Sequence, residues 1–144
     1  MELELNTFGA ILEYGMHLEQ QTAHAYEVAA AKAQTPDLAT ALAELAAEAQ
    51  KRRQTLARVR RENVTEMILN PIHDFHSTDY APDWTMPNGD AALRAAALQI
   101  ESTKERYYDT ARAKTELAEA ARALRRLAQG NRANADRLGE IAVP

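Results

Sequence analysis

Two short stretches of the sequence carry the same pattern and decide the fold. Residues 19–26 read E-Q-Q-T-A-H-A-Y and residues 101–108 read E-S-T-K-E-R-Y-Y, so a glutamate precedes a tyrosine by seven positions twice. The same offset of 82 positions, without a gap, aligns further pairs: Ala29 with Ala111, Leu42 with Leu124, Leu45-Ala46 with Leu127-Ala128, and Leu56 with Leu138. We interpret the chain as a duplication of one unit, covering about residues 8–60 and 90–142.

Each unit reads as a pair of helices, because Ala, Leu, Glu and Arg, all strong helix formers, dominate both. Capping residues and breaks predict the helix ends. The predicted helices run from Asn6-Thr7 to about Gln34, from Pro36 to about Glu62, from near Asp90 to Lys114, and from Thr115 to about Ile141.

The segment between the two units, residues 63–89, has a different composition. It contains Pro71, Pro82, Pro87 and Gly89 together with several aromatic residues, which predicts an ordered crossover loop packed over the helices. A short helical turn is expected around Thr65 to Leu69.

Apolar residues follow alternating steps of three and four along the helices, the spacing of a bundle seam. Two short turns and one long crossover then predict an all-α, antiparallel four-helix bundle of the ferritin-like type, formed by two helical hairpins. The whole chain, residues 1–144, is expected to form one domain.

Composition excludes several kinds of protein. The chain has no cysteine, so it offers no disulfide and no thiolate metal ligand. We expect no membrane span, because no stretch approaches the ~18 apolar residues required. The net charge of −4 argues against nucleic-acid binding, and the basic run Lys51–Arg61 reads as a solvated helix face. The first residues lack the features of a signal peptide, so a cytoplasmic location is expected.

Several positions that face the predicted core carry polar side chains. Glu19 and Glu101 lie on the stripes of the first and third helices, with Lys104 one turn beyond Glu101. The stripes of the second and fourth helices are interrupted at Arg52, Asn131 and Asn134. Buried polar groups need partners, so these side chains should meet in one central layer.

The repeated glutamate and tyrosine, each followed by a helix with Leu-Ala near its middle, resemble the rubrerythrin branch of the ferritin-like superfamily. The resemblance covers roughly residues 8–141. It implies a di-iron site held by one Glu from the first helix and a Glu-x-x-His pair from the second helix of each repeat. By this resemblance, Glu19 and Glu101 match the first-helix ligands, and Tyr26 and Tyr108 match tyrosines beside the metals.

The remaining four ligand positions are substituted. The Glu-x-x-His positions hold Ala49 and Arg52 in the first repeat and Asn131 and Asn134 in the second. A guanidinium repels a dication, and an amide oxygen is a poor iron ligand. We therefore expect no di-iron centre and no cofactor, and predict a vacated metal site.

In place of the metals, we expect an ion-paired core. Arg52 is expected to bridge Glu19 and Glu101 by charge-assisted hydrogen bonds, with Lys104 as a second cation.

Three alternatives stay open. A rearranged iron or manganese site could use Glu19, His24, Glu48 and Glu101, as in a redox protein acting on peroxide or dioxygen. The loop offers a second possible metal site at His73, Asp74 and His76. The polar layer could also form a small-molecule pocket in which Arg52 meets an anionic group.

The favoured prediction is a protein without catalytic residues that serves as an interaction or binding scaffold. A homodimer through helix faces is expected, with the alanine runs 29–31 and 95–97 allowing close helix contact. The sequence does not identify a further protein partner.

Overall fold

The computed structural model describes residues 3–63 and 71–144, and they contain four long helices and no β-strand. The helices are α1 (Phe8–Lys32), α2 (Pro36–Glu62), α3 (Asp90–Lys114) and α4 (Ala118–Glu140), with a 3-10 turn at Ser77–Tyr80. The all-helical class predicted from the sequence is confirmed. The predicted turn at Thr65 to Leu69 lies outside the described residues.

Local chemistry sets the helix ends. The Thr7 side chain accepts a hydrogen bond from the Ala10 N–H at 3.0 Å and caps α1. Pro36 lies in the first turn of α2, where its missing N–H costs nothing. The predicted start of α4 at Thr115 was three residues too early. Thr115 instead ends α3, because its N–H and hydroxyl donate to the carbonyls of Arg112 and Ala111.

The four helices form a bundle around two apolar clusters. α1 packs against α2 and α3, and α4 packs against α3 and α2. One cluster contains Leu12, Leu18, Leu56 and Leu124, and the other contains Leu42, Leu45, Ile100 and Leu138. Between these two sets each helix buries at least one polar side chain, Glu19 on α1, Arg52 on α2, Glu101 on α3 and Asn131 on α4, so a polar layer lies between the clusters. Within the described part of the chain, no helix could cross a membrane.

The described part of the loop lies against the bundle. Phe75 is buried and stacks on Tyr107 with ring centroids 5.3 Å apart. The Tyr14 hydroxyl donates to the carbonyl of Tyr80 at 2.7 Å, and Met86 is buried in the second cluster. These contacts hold the loop over both ends of the core.

Asp90 links the two hairpins. Its carboxylate accepts hydrogen bonds from the N–H groups of Gln34 and Thr35 and from the Thr35 hydroxyl. These hydrogen bonds lower the pKa of Asp90 below its usual range. The bonds also explain why α1 ends at Lys32, before the predicted Gln34, because the amides of residues 34 and 35 turn toward α3.

Candidate functional site

The polar layer between the two apolar clusters is the candidate site. Its fully or almost fully buried members come from all four helices: Glu19 and Thr22 of α1, Arg52 of α2, Glu101 and Lys104 of α3, and Asn131 of α4. Asn134 is half-buried beside them. The structure therefore brings together every residue that the sequence placed in the polar core, with the two predicted tyrosines around it.

The two tyrosines and two glutamates form a reciprocal pair of hydrogen bonds across the repeats. Tyr26 of the first repeat donates to Glu101 Oε2 of the second at 2.5 Å. Tyr108 of the second repeat donates to Glu19 Oε2 of the first. The same hydroxyls also reach main-chain oxygens at equivalent positions, Ala97 and Gly15 respectively. The duplication seen in the sequence therefore extends to the contacts of the site.

The charges around Glu19 break this symmetry. Lys104 Nζ donates to Glu19 Oε1 at 2.8 Å, and Arg52 Nε lies 3.4 Å from the same oxygen. The residue equivalent to Lys104 in the first repeat is Thr22, whose hydroxyl donates to the carbonyl of Leu18. Glu19 is therefore held by two cations, both supplied by helices other than its own.

Glu101 is held mainly by neutral donors. The side-chain amides of Asn131 and Asn134 both donate to its Oε1, at 2.9 and 3.1 Å. Lys104 Nζ lies 4.0 Å from Oε2. The two asparagines thus present N–H donors, not metal ligands, to the carboxylate.

Arg52 does not bridge the two glutamates as expected. Its Nη2 donates to the Leu127 carbonyl at 3.1 Å and to Asn131 Oδ1 at 2.8 Å. Its only carboxylate contacts in the described structure are with Glu19 and, at 3.8 Å, Glu48. Lys104 reaches both buried glutamates instead, because it lies on the same helix as Glu101 and faces Glu19.

The layer is formally neutral, with two carboxylates and two cations. Burial alone would raise the pKa of Glu101, but Lys104, Arg52 and the hydrogen bonds from Tyr26 and Asn131 together lower it below its ordinary value. Burial and the neighbouring glutamates raise the pKa of Tyr26 and Tyr108 well above 10, which keeps both phenols as hydrogen-bond donors.

These side chains do not fit a di-iron group. Ala49 carries no ligand atom, and Arg52 has no lone pair to offer a metal. Lys104 lies within hydrogen-bond distance of Glu19, on the side that faces the second glutamate. A cation entering between the carboxylates would meet two fixed positive groups, so the donor set favours an internal ion pair over a metal.

Neither alternative metal site is brought together. His24 is exposed in a groove between α1 and α2, and Glu48 is partly exposed and faces Arg52. In the loop, His76 Nδ1 lies 3.6 Å from Glu4, while the His73 carbonyl accepts from Lys114. Across residues 3–63 and 71–144, no three His, Asp or Glu side chains are grouped as a metal site would require.

Sequence reasoning missed one part of the site. Tyr107 is completely buried next to Tyr108, and its hydroxyl donates to the Ile11 carbonyl at 2.6 Å. Its ring also contacts Tyr14 and Tyr80 edge-on. The repeat gave no signal for this cluster, because the position equivalent to Tyr107 is Ala25.

The chain matches no protein-family model, no curated protein and no solved structure.

Removing either cation should destabilise the fold. Lys104→Met and Arg52→Met each leave Glu19 with one buried cation in place of two, so each should lower the free energy of unfolding by ~3 kcal/mol or more. Urea denaturation followed by circular dichroism measures this. The matched controls, Lys51→Met and Arg53→Met, remove the same charges from exposed neighbours on α2 and should change stability by ~0.5 kcal/mol or less.

Adding Glu19→Gln to Lys104→Met should recover part of the loss, because the layer then again has equal numbers of carboxylates and cations. An unchanged midpoint for Lys104→Met, or no recovery in the double variant, would contradict the ion-pair assignment.

High pH should unfold the protein through its buried tyrosines. Burial raises the pKa of Tyr14 to about 12, and the pKa values of Tyr26, Tyr107 and Tyr108 lie well above 10. The stability these phenols contribute is complete below pH ~10, the unfolded value, and is lost as pH rises toward the folded values. Absorbance at ~295 nm should therefore show these four phenolates forming together with the loss of helix. Ionisation of these four tyrosines in a chain that stays helical would contradict the prediction.

Proposed function

We propose that this chain is a ferritin-like protein, related to the rubrerythrins, whose di-iron centre has been replaced by a buried ion-pair layer. In this proposal the bundle is a non-catalytic scaffold for interaction or binding, and it needs no iron or manganese cofactor. The observation that carries the proposal is the contact of Lys104 and Arg52 with Glu19 at the position where the relatives' metals would lie.

The helix contacts support a ferritin-like topology. Between α1 and α3, the contacts Ile11–Tyr107 and Tyr26–Ala97 run in opposite chain directions. Between α2 and α4, Glu44–Arg137 and Arg52–Leu127 do the same. Neighbouring helices in this arrangement are antiparallel, and the crossover loop must then return along the length of the bundle, as in that superfamily.

The chemistry of the layer supports a structural role over a catalytic one. Every carboxylate oxygen of Glu19 and Glu101 already accepts a hydrogen bond or faces a cation within the layer. The phenols are neutral donors, and the lysine is in an ion pair. Each carboxylate oxygen therefore already has a donor within the layer, and the site's residues stabilise one another.

We also propose a homodimer formed through the outer face of α1. Val28 is the exposed large hydrophobic residue of the described chain, and exposed Ala31 lies one turn further along the same face. Small residues at such a face let two helices approach closely.

Val28→Glu should therefore shift the protein from dimer to monomer without changing its helix content. Light scattering coupled to size-exclusion chromatography measures the mass, and Glu119→Lys offers a control charge change at an exposed site on α4, away from the proposed face. A wild-type chain that elutes as a monomer at high concentration would contradict the dimer.

The wild-type protein should bind well below one metal ion per chain when purified with added Fe(II) or Mn(II). Elemental analysis measures the metal, and absorbance detects any oxo-bridged iron. Stoichiometric metal with an oxo-bridged band in the wild type would overturn the proposal.

A variant with restored ligands provides the positive control. It combines Ala49→Glu, Arg52→His, Asn131→Glu and Asn134→His with Lys104→Thr, which copies the first repeat. By the resemblance, this set recreates six carboxylate and imidazole ligands. Iron binding by the variant and not by the wild type would show that the bundle can hold the metals and that the substitutions prevent it.

A further inference from the structure

The outer surface of the second hairpin carries a basic groove. The groove has a volume of about 570 Å³ and runs between α3 and α4. Four arginines line it, two from each helix: Arg106, Arg112, Arg125 and Arg132. Two acidic residues, Glu105 and Asp109, also lie in the lining, so the groove has a formal charge of 4 − 2 = +2 in a chain whose net charge is −4.

The internal repeat provides a comparison within the same molecule. The first hairpin has a smaller groove of about 300 Å³ at the equivalent place, lined by Gln20, His24, Glu27 and Gln50 among others. These residues are equivalent to Ser102, Arg106, Asp109 and Arg132. The positions equivalent to Arg112 and Arg125 are Ala30 and Ala43. Three of the four arginines therefore have a neutral counterpart that is not basic, and Arg106 has a histidine, so the hairpin fold does not require an arginine at any of these positions.

The arginines are placed to contact a ligand. Arg112 pairs with Asp109 at 2.9 Å and Arg132 with Glu105 at 3.1 Å, and all four of these residues line the groove. Arg106 lies over the ring of Tyr80 at 5.3 Å. Arg125 is exposed and forms no ion pair with any residue that the structure describes.

The basic lining continues past the groove. A second cavity of about 380 Å³ shares Arg112 and Arg125 with it and adds Arg122. On α4, the arginines at 122, 125 and 132 span ten residues, or roughly 15 Å at the helical rise. This length suits a chain of several anionic groups better than one isolated anion.

We propose that the groove between α3 and α4 binds a phosphate chain, either of a nucleotide or of an inorganic oligophosphate. Guanidinium groups bind phosphate oxygens in a bidentate manner, and the groove volume lies in the range of small-ligand sites. Ala128 is the one apolar side chain in the groove lining. A protein partner would need apolar or aromatic anchors there, so the lining favours a small, highly charged ligand. This inference does not depend on the proposal that the polar layer replaces a di-iron centre.

Equilibrium dialysis against tripolyphosphate, ATP and adenosine tests the proposal, in magnesium-free buffer at low and at physiological salt. The test variant combines Arg125→Ala with Arg132→Gln, which copies the first repeat at both positions. The control, Arg53→Ala, removes an arginine from the equivalent groove of the first hairpin. Circular dichroism checks the fold of each variant. If the double variant unfolds, Arg132→Gln alone replaces it as the test variant, because that side chain is highly exposed.

The wild type should bind tripolyphosphate and ATP but not adenosine, with weaker binding at higher salt. The double variant should bind both at least about tenfold more weakly, and Arg53→Ala should change binding less than about twofold. Much tighter binding of ATP than of tripolyphosphate identifies a nucleotide as the source.

Several outcomes would overturn the proposal. They are binding of adenosine as tight as that of ATP, weakening of binding by Arg53→Ala as large as that by the double variant, or no binding of either phosphate compound at physiological salt. Binding of a polyglutamate peptide as tight as that of tripolyphosphate would also overturn it, in favour of an acidic protein segment.

Discussion

The ion pair between Lys104 and Glu19 is the interaction on which the rest of the core depends. Both side chains are almost completely buried, at 1% and 0% exposure, so neither charge can be hydrated. A buried charge without a partner costs several kcal/mol. The pair therefore fixes α3 against α1 at one register, because sliding either helix by a turn would separate the charges by more than ~5 Å. In this register the hydroxyls of Tyr26 and Tyr108 lie within hydrogen-bond distance of Glu101 and Glu19, respectively.

The layer also explains why the two repeats can differ inside while keeping one fold. The reciprocal Tyr–Glu bonds are common to both repeats, and they set the positions of the carboxylates. The groups that neutralise the carboxylates differ, since Glu19 faces cations and Glu101 faces mainly amides. Each repeat contributes one carboxylate and one cation to the layer, but Lys104 of the second repeat pairs with Glu19 of the first. This contact across the repeats makes the two halves dependent on each other.

Much of the fold could be predicted from the sequence, because helix caps, breaks and apolar spacing are local signals. Pro36 and the repeated Leu-Ala pairs predicted the positions of the helices closely. Comparison of the two repeats identified the residues of the polar layer. The partner of each charge could not be predicted in the same way. Arg52 and Lys104 both face the core, and only their side-chain geometry decides that Lys104 reaches both glutamates. The start of α4 depends on whether Thr115 caps α4 or hydrogen-bonds to the last turn of α3. The spacing of the apolar residues does not decide between the two.

The internal repeat allows each half of the protein to be compared with the other. In the polar layer, Lys104 stands where the first repeat has Thr22, and Asn131 and Asn134 stand where it has Ala49 and Arg52. On the outside, Arg125 and Arg132 stand where the first repeat has Ala43 and Gln50. Exposed arginines beside one another repel and add little to folding. A fold that tolerates alanine and glutamine at those two places does not need Arg125 and Arg132 for packing, which favours a binding role for the second groove.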